Sequence, residues 1–263
     1  MATAGSGYGE HKFGPSLLGR LVLAFGVLLA IIFIWAMGDD PSPSSNLTLV
    51  WISVGLLVAG VVAWIATGKT QLTINDQGVR RESVLGVQEI AWGQIQDTRY
   101  RVIPINVYAH FGLIGALLAM RSKSANANLT LELISADGKR LRVTSNFQNA
   151  KEAIGLILTR ILPPMVKSAQ ASLQHGQTVK FGDMALSATQ ITWKNKTTIP
   201  VSEIKKAEIV GGNLQLKRRG KWLSAVSVRS DKVPNVLVFL EALESLAPQI
   251  KSTGIDPLAR VRF

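Results

Sequence analysis

The sequence predicts an α+β chain: an N-terminal two-helix transmembrane hairpin, then two copies of a curved antiparallel sheet, a partly open barrel closed by one C-terminal helix. Three observations predict it. Two long apolar runs, residues 17–37 and 47–67, stand close together near the start. Short apolar stretches separated by Asp/Gly turns then follow, and the series recurs in the second half of the chain. Each series ends in an amphipathic helical stripe.

A helix needs about 20 predominantly apolar residues to cross a hydrocarbon core. Residues 47–67 carry no charge, and residues 17–37 carry only Arg20, whose guanidinium can snorkel to the headgroups while its stem stays in lipid. Trp35, Trp51 and Trp64 fall near run ends, where an indole prefers the interface, so these three and Arg20 are the expected membrane-interface anchors. Between the runs lie Asp39 and Asp40 and no cation, whereas Lys12, Arg20, Lys69, Arg80 and Arg81 flank the pair. The positive-inside rule then places both termini in the cytoplasm of a two-span inner-membrane protein. A buried core pair and a cleaved signal peptide fit less well, the first on length and the second for want of a cleavage site. Gly26 with Ala30 and Gly55 with Ala59 would let the helices approach closely.

Residues 68–263 hold 27 basic and 14 acidic residues, a net +13 that accounts for the whole +12 charge of the chain. Such a surface attracts anionic lipid headgroups, with nucleic acid ranked lower for a tethered chain. The absence of cysteine excludes disulfides, thiolate metal sites and a cysteine nucleophile.

In the first copy Leu72 to Ile74, Val79 to Val84 and Val87 to Trp92 alternate with turns such as Asn75 to Gly78. Such patterning indicates antiparallel strands. A hairpin follows, with strands at 129–133 and 141–144 around Asp137 and Gly138. In the second copy Met184 to Ser187, Gln190 to Trp193 and Ile199 to Ile204 take the same places, with a hairpin turning at Arg219 and Gly220. Asn149 and Glu152 form a capping-box pattern ahead of the stripe Ala150, Ile154, Ile157, Leu158 and Ile161. Pro163 and Pro164 stop that helix, and residues 165–176 link the copies. Pro234 suits a first helical turn before Val236, Phe239, Leu240, Leu243 and Leu246. The expected organisation is a flexible tail 1–16, a hairpin 17–67, domain 68–164 with an apolar insertion at 102–120, domain 165–249 and a tail 250–263.

The chain resembles bacterial membrane proteins with tandem pleckstrin-homology-like domains, a family of unassigned function. The resemblance rests on Gly78 to Arg80, Ile90 to Ile95 with Trp92, Val179 to Gly182, the Gly211 and Gly212 turn, and Pro234 to Val236 with Phe239. It implies a binding or scaffolding module and no particular ligand.

Residues 102–120 interrupt the first copy. Pro104, Asn106, His110, Gly112 and Gly115 weaken a third span, and crossing would split one small domain across the membrane. An interfacial loop that dips Phe111, Leu113, Leu117 and Leu118 toward lipid or the hairpin is favoured over ordinary core packing.

No catalytic set, cofactor fingerprint or metal-ligand spacing stands out. His11, His110 and His175 lack a second ligand three or four residues away. The candidate contacts are basic hairpin turns, Lys139 and Arg140 in one copy and Lys217, Arg218, Arg219 and Lys221 in the other, where phosphate or lipid headgroups suit the cations. The expectation is a non-enzymatic, membrane-anchored scaffold without cofactor or metal. It would contact anionic lipid, a protein partner or another copy of itself; the alternative is an accessory subunit of a transport or envelope-maintenance complex.

Overall fold

The computed structural model describes residues 10–37, 43–104, 127–220, 224–248, 250 and 261–262. Among the described residues it has fifteen β-strands in four sheets and four α-helices. The chain divides into two compact units, Met1–Glu89 with Asn146–Asn149, and Ile90–Ser145 with Ala150–Phe263.

In the first unit a sheet of order β1-β2-β3-β4 is built from β1 (His11–Phe13), β2 (Gln71–Ile74), β3 (Gly78–Ser83) and β4 (Gly86–Ala91), whose last two residues pass into the second unit. The β2–β3 turn forms because Asn75 Oδ1 accepts from the N–H groups of Gln77 at 2.9 Å and Gly78 at 3.0 Å. Alternation buries Leu72, Ile74, Val79 and Phe13, together with Phe147.

Helices α1 (Leu17–Met37) and α2 (Pro43–Gly68) lie between β1 and β2. They pack on each other through Gly60, where an added Cβ would lie 3.0 Å from Val27, and Trp35 Nε1 donates to Ser53 Oγ at 3.1 Å. Among the described residues nothing lies within 4 Å of a Cβ placed at Gly26 or Gly55, so the expected close approach through those positions is not seen there.

The membrane reading requires correction. Among the described residues no helix is long and apolar enough to cross a membrane, and no transmembrane hairpin is seen. The two-span inner-membrane location with cytoplasmic termini falls with it. The expected insertion at 102–120 lies mostly outside the described residues.

The second unit holds β5 (Ile95–Pro104), β6 (Ala127–Ser135) and β7 (Arg140–Thr144) in one antiparallel sheet. Thr98, Tyr100, Val102, Leu129, Leu131, Leu133, Leu141 and Val143 form its buried face, on which α3 (Ala150–Gln174) packs. A second sheet, order β11-β10-β9-β8, comprises β8 (Val179–Phe181), β9 (Met184–Leu186), β10 (Gln190–Trp193) and β11 (Thr197–Pro200). A third, order β14-β13-β12-β15, comprises β12 (Ile204–Val210), β13 (Asn213–Arg218), β14 (Ser224–Arg229) and β15 (Val261–Arg262). Helix α4 (Val236–Leu246) packs on α3 and on β5.

The repeat extends further than its sequence signs. Strands β1 to β4 correspond to β8 to β11, a 3₁₀ turn follows each set at Trp92–Gln94 and Val201–Glu203, then β5 to β7 correspond to β12 to β14, and α3 to α4. Both helices are preceded by a left-handed asparagine, Asn149 and Asn235, each at φ 53°. Asn149 therefore lacks the extended backbone that the expected capping box uses. Phe13 pairs with Leu72 as Phe181 pairs with Met184, across a two-residue turn of Gly182 and Asp183 in the second copy. The α1–α2 pair is an insertion into the equivalent turn of the first copy. Residues 11–13, read from sequence as part of a tail, are its first strand.

Helix α3 runs through Pro163 and Pro164 instead of ending there. The prolines deprive the carbonyls of Thr159 and Arg160 of their usual N–H donors. The helix resumes because Ala169 and Leu173 are buried beyond them, and it ends at Gly176, φ 73°. There Gln177 N–H donates to Ser172 O and Gly176 N–H to Leu173 O, a Schellman end.

Candidate functional site

A cleft of about 650 Å³ opens within the second unit. Its walls are the turn before β5 (Trp92, Ile95, Gln96), the middle of α3 (Arg160, Ile161, Pro164, Met165, Ser168), strand β8 (Val179, Lys180, Phe181) and the start of α4 (Asn235, Val238).

Each wall is held by identifiable contacts. Phe181 meets Phe239 edge to face, ring centroids 5.4 Å apart at 76°, which fixes β8 against α4. Gly182 allows that approach: its φ is 66°, and a Cβ there would sit 2.8 Å from Pro234 Cδ. Asn235 does not cap α4 with its side chain. Instead its Oδ1 accepts from Thr98 N–H at 2.7 Å and Thr98 Oγ1 at 3.1 Å, its Nδ2 donates to Asp97 Oδ1 at 2.9 Å, and its N–H donates to Thr98 O at 2.7 Å. Three stretches far apart in sequence, around Trp92, Lys180 and Asn235, meet at one place.

The lining includes two cations, Arg160 and Lys180, and no carboxylate side chain. The Arg160 guanidinium lies 5.9 Å from the centre of the Trp92 ring. Apolar wall comes from Ile95, Ile161, Met165, Val179 and Val238, and hydrogen-bonding groups from Gln96, Ser168 and Ser172.

The basic turns selected from sequence are largely occupied by their own neighbours. Lys139 pairs with Asp137 at 2.8 Å, an exposed contact that raises the lysine's pKa and, with a hydrogen bond from Ser135 Oγ, holds the Asp137 carboxyl well below the usual carboxylate range. Arg218 is clamped by Glu203, and Lys217 lies 3.9 Å from the buried Glu208. Arg140 and Arg219 are exposed and form no ion pair among the described residues. Lys221, with Phe111, Leu113, Leu117 and Leu118, lies outside the described residues. Arg20 stacks over Trp64 at 4.2 Å, so it and Trp35 brace α1 against α2, while Trp51 is 67% exposed. Among the described residues no group of three or more His, Cys, Asp or Glu gathers into a metal site.

Residues 4–251 match the family of unknown function DUF6585. The chain belongs to that family. No curated protein matches it. In this family member the described strands, helices and cleft all fall within the matched span, apart from β15.

Sequence reasoning missed the cleft because Arg160 drew no attention and Lys180 entered only within the Val179 to Gly182 signature. The available signal was the recurrence of Lys-Phe-Gly, at Lys12 to Gly14 and again at Lys180 to Gly182. That repeat marks β1 and β8 as equivalent.

Proposed function

We propose that the protein is a non-enzymatic binding and scaffolding component whose α1–α2 pair docks on apolar helices of a protein partner. The two sheet-plus-helix repeats are read as pleckstrin-homology-like modules that the docked pair holds in place. The observation that carries the docking is the outward apolar surface of the pair. Phe25, Leu28, Leu29, Ile32, Trp51 and Leu57 are among more than a dozen large apolar side chains left exposed there. Contiguous apolar surface of this kind marks an interaction site, because each such half-exposed side chain gains about 1 kcal/mol on full burial. The reading includes the accessory subunit of a larger complex as its most specific form.

The test places a photocrosslinking amino acid at Trp51 or Leu57 in the full chain, in cells. One protein should be captured from both positions, through residues of an apolar helix, and Val61→Glu should abolish the adduct. Adducts to lipid alone, or none, would sink the docking.

A further inference from the structure

We propose that the tip of the β3–β4 hairpin, Val84, Leu85 and Val87, is a second contact for the protein partner that docks on α1–α2, seated in an apolar pocket of that partner. It rests on the docking of the helical pair and extends that interface from helix to sheet.

Strand register places both surfaces at one end of the first sheet. Strand β1 leaves the sheet at Phe13, opposite Leu72, and the chain enters α1 at Leu17. Helix α2 ends at Gly68 and leads into β2 at Gln71, whose partner on β3 is Glu82. One residue beyond Glu82, β3 ends at Ser83, and the chain turns through Val84 and Leu85 into β4 at Gly86. The roots of both helices and the hairpin tip therefore leave the sheet from the same end.

Neither the turn nor the core calls for these side chains. Two-residue hairpin turns favour Asn, Asp and Gly, and here Gly86, φ 118°, follows two branched aliphatic residues instead. Leu85 is 99% exposed, and Val84 and Val87 are each 57% exposed. Apolar side chains held out in water beside a larger apolar surface mark a place where another molecule covers both.

The second copy supplies the comparison. Phe13 and Phe181, Leu72 and Met184, and Arg81 and Trp193 occupy the same places in the two sheets. Ile90 and Ile199 likewise each stand two residues before a 3₁₀ turn. Between Arg81 and Gln88 the first copy has six residues, Glu82 to Val87, whereas between Trp193 and Thr197 the second has three, Lys194, Asn195 and Lys196. The first hairpin is thus longer, by about 5 Å at the rise of a strand, and apolar where the second carries two lysines. The second copy also has the turn of Gly182 and Asp183 where the first carries α1–α2. A tip required by the fold would recur in both copies. The long apolar tip instead accompanies the helical insertion, which ties it to the same partner.

The test places the photocrosslinking amino acid at Leu85 of the full chain, in cells, alongside Leu57 and, at the tip of the second copy, Asn195. Mass spectrometry should identify the protein captured from Leu85 as the one captured from Leu57, and Asn195 should not capture it. With the crosslinker at Leu57, Leu85→Asp should lower that adduct about tenfold, the scale on which losing one buried leucine weakens an interface. Thermal unfolding of Leu85→Asp should stay at or above that of the parent, because the side chain is outside the core and aspartate suits the turn. Capture from Leu57 with lipid, a different protein or nothing at Leu85 overturns the second contact and leaves the helical docking intact. Equal capture from Asn195, or a Leu57 adduct indifferent to Leu85→Asp, overturns it as well. Capture from neither Leu57 nor Leu85 sinks the docking itself and the tip contact with it.

Discussion

Gly211 and Gly212 join β12 to β13, and alanine at the second should cost far more than alanine at the first. Both have positive φ, 55° and 81°, so either substitution forces an L side chain into left-handed backbone at about 1–2 kcal/mol. At Gly211 nothing lies within 4 Å of the added Cβ, and that strain is the whole effect. At Gly212 the Cβ would collide with the main-chain oxygen of Val102, with the Val102 carbonyl carbon 3.2 Å away. Val102 is paired with Leu129 in the long β5–β6 ladder and is buried, so it cannot retreat without loosening that ladder. Overpacking against a fixed partner adds about 1–3 kcal/mol. The expected losses are about 1 kcal/mol for Gly211→Ala and about 3–4 kcal/mol for Gly212→Ala. For a chain of this size they correspond to melting-temperature drops of roughly 3 °C and roughly 10 °C. Urea and thermal unfolding followed by circular dichroism would measure both. Equal losses would refute the close approach of this turn to β5.

Replacing residues 14–71 by Gly-Asp, the turn that joins β8 to β9, should leave a folded chain that keeps the β5–β7 and β12–β14 sheets. Circular dichroism with amide hydrogen exchange checks this, and loss of cooperative unfolding would contradict an inserted α1–α2 pair. Asn235→Ala should cost about 3 kcal/mol, because Thr98 N–H loses its side-chain acceptor and alanine must adopt left-handed backbone. Asn235→Gly should recover about 1 kcal/mol of that in the same denaturation assay, by relieving the backbone strain alone. Burial pushes the Asp231 carboxyl up, but the hydrogen bond from Arg229 and the charges of Arg229, Arg101 and Lys232 outweigh it and hold the pKa below its ordinary value. Its stabilisation is complete above about pH 4 and fades as pH falls through the lower folded value, since the unfolded chain takes up that proton first. Asp231→Asn should therefore flatten the acid limb of a stability-versus-pH curve, and an unchanged limb would contradict the pairing.

Local chemistry was legible where a pattern repeats at short range. The Asp137 and Gly138 turn, the strands on either side of it and the stripe from Ala150 to Ile161 follow from alternation and helical spacing, and the structure buries those apolar positions. The signs failed where a distant contact overrides a local preference. Pro163 and Pro164 normally end a helix, yet burial of Ala169 and Leu173 carries α3 past them. Strand β1 was hidden because an inserted helical pair separates it from its partner β2. The basic turns were visible as charge, but not as charge already satisfied. Asp137 stands two residues before Lys139, while Glu203 reaches Arg218 only once β12 and β13 have paired. The two spans rested on uninterrupted apolar sequence, whereas no helix among the described residues is long and apolar enough to cross a membrane.

The cleft has a consequence for how the repeats depend on each other. Its walls alternate between copies: Trp92 and α3 come from the first, Lys180 and Asn235 from the second. Asn235 binds Thr98 on β5, and Ser230 Oγ donates to Tyr100 O at 2.6 Å on the same strand. Arg101 of β5 lies 3.8 Å from Asp231. The segment that leads into α4 is therefore fastened to the first copy's strand at three points, Ser230 to Tyr100, Asp231 to Arg101 and Asn235 to Thr98. Ser230 is fully buried there, so separating the copies would expose a hydroxyl and a carbonyl that now satisfy each other. Either copy alone would lose two walls of the cleft, and the second would also lose the contacts of α4 with β5 and α3. A duplication that began as two similar sheets thus acquires a site that neither possesses. Substitutions at Thr98 or Asn235 should act on cleft geometry and on stability together.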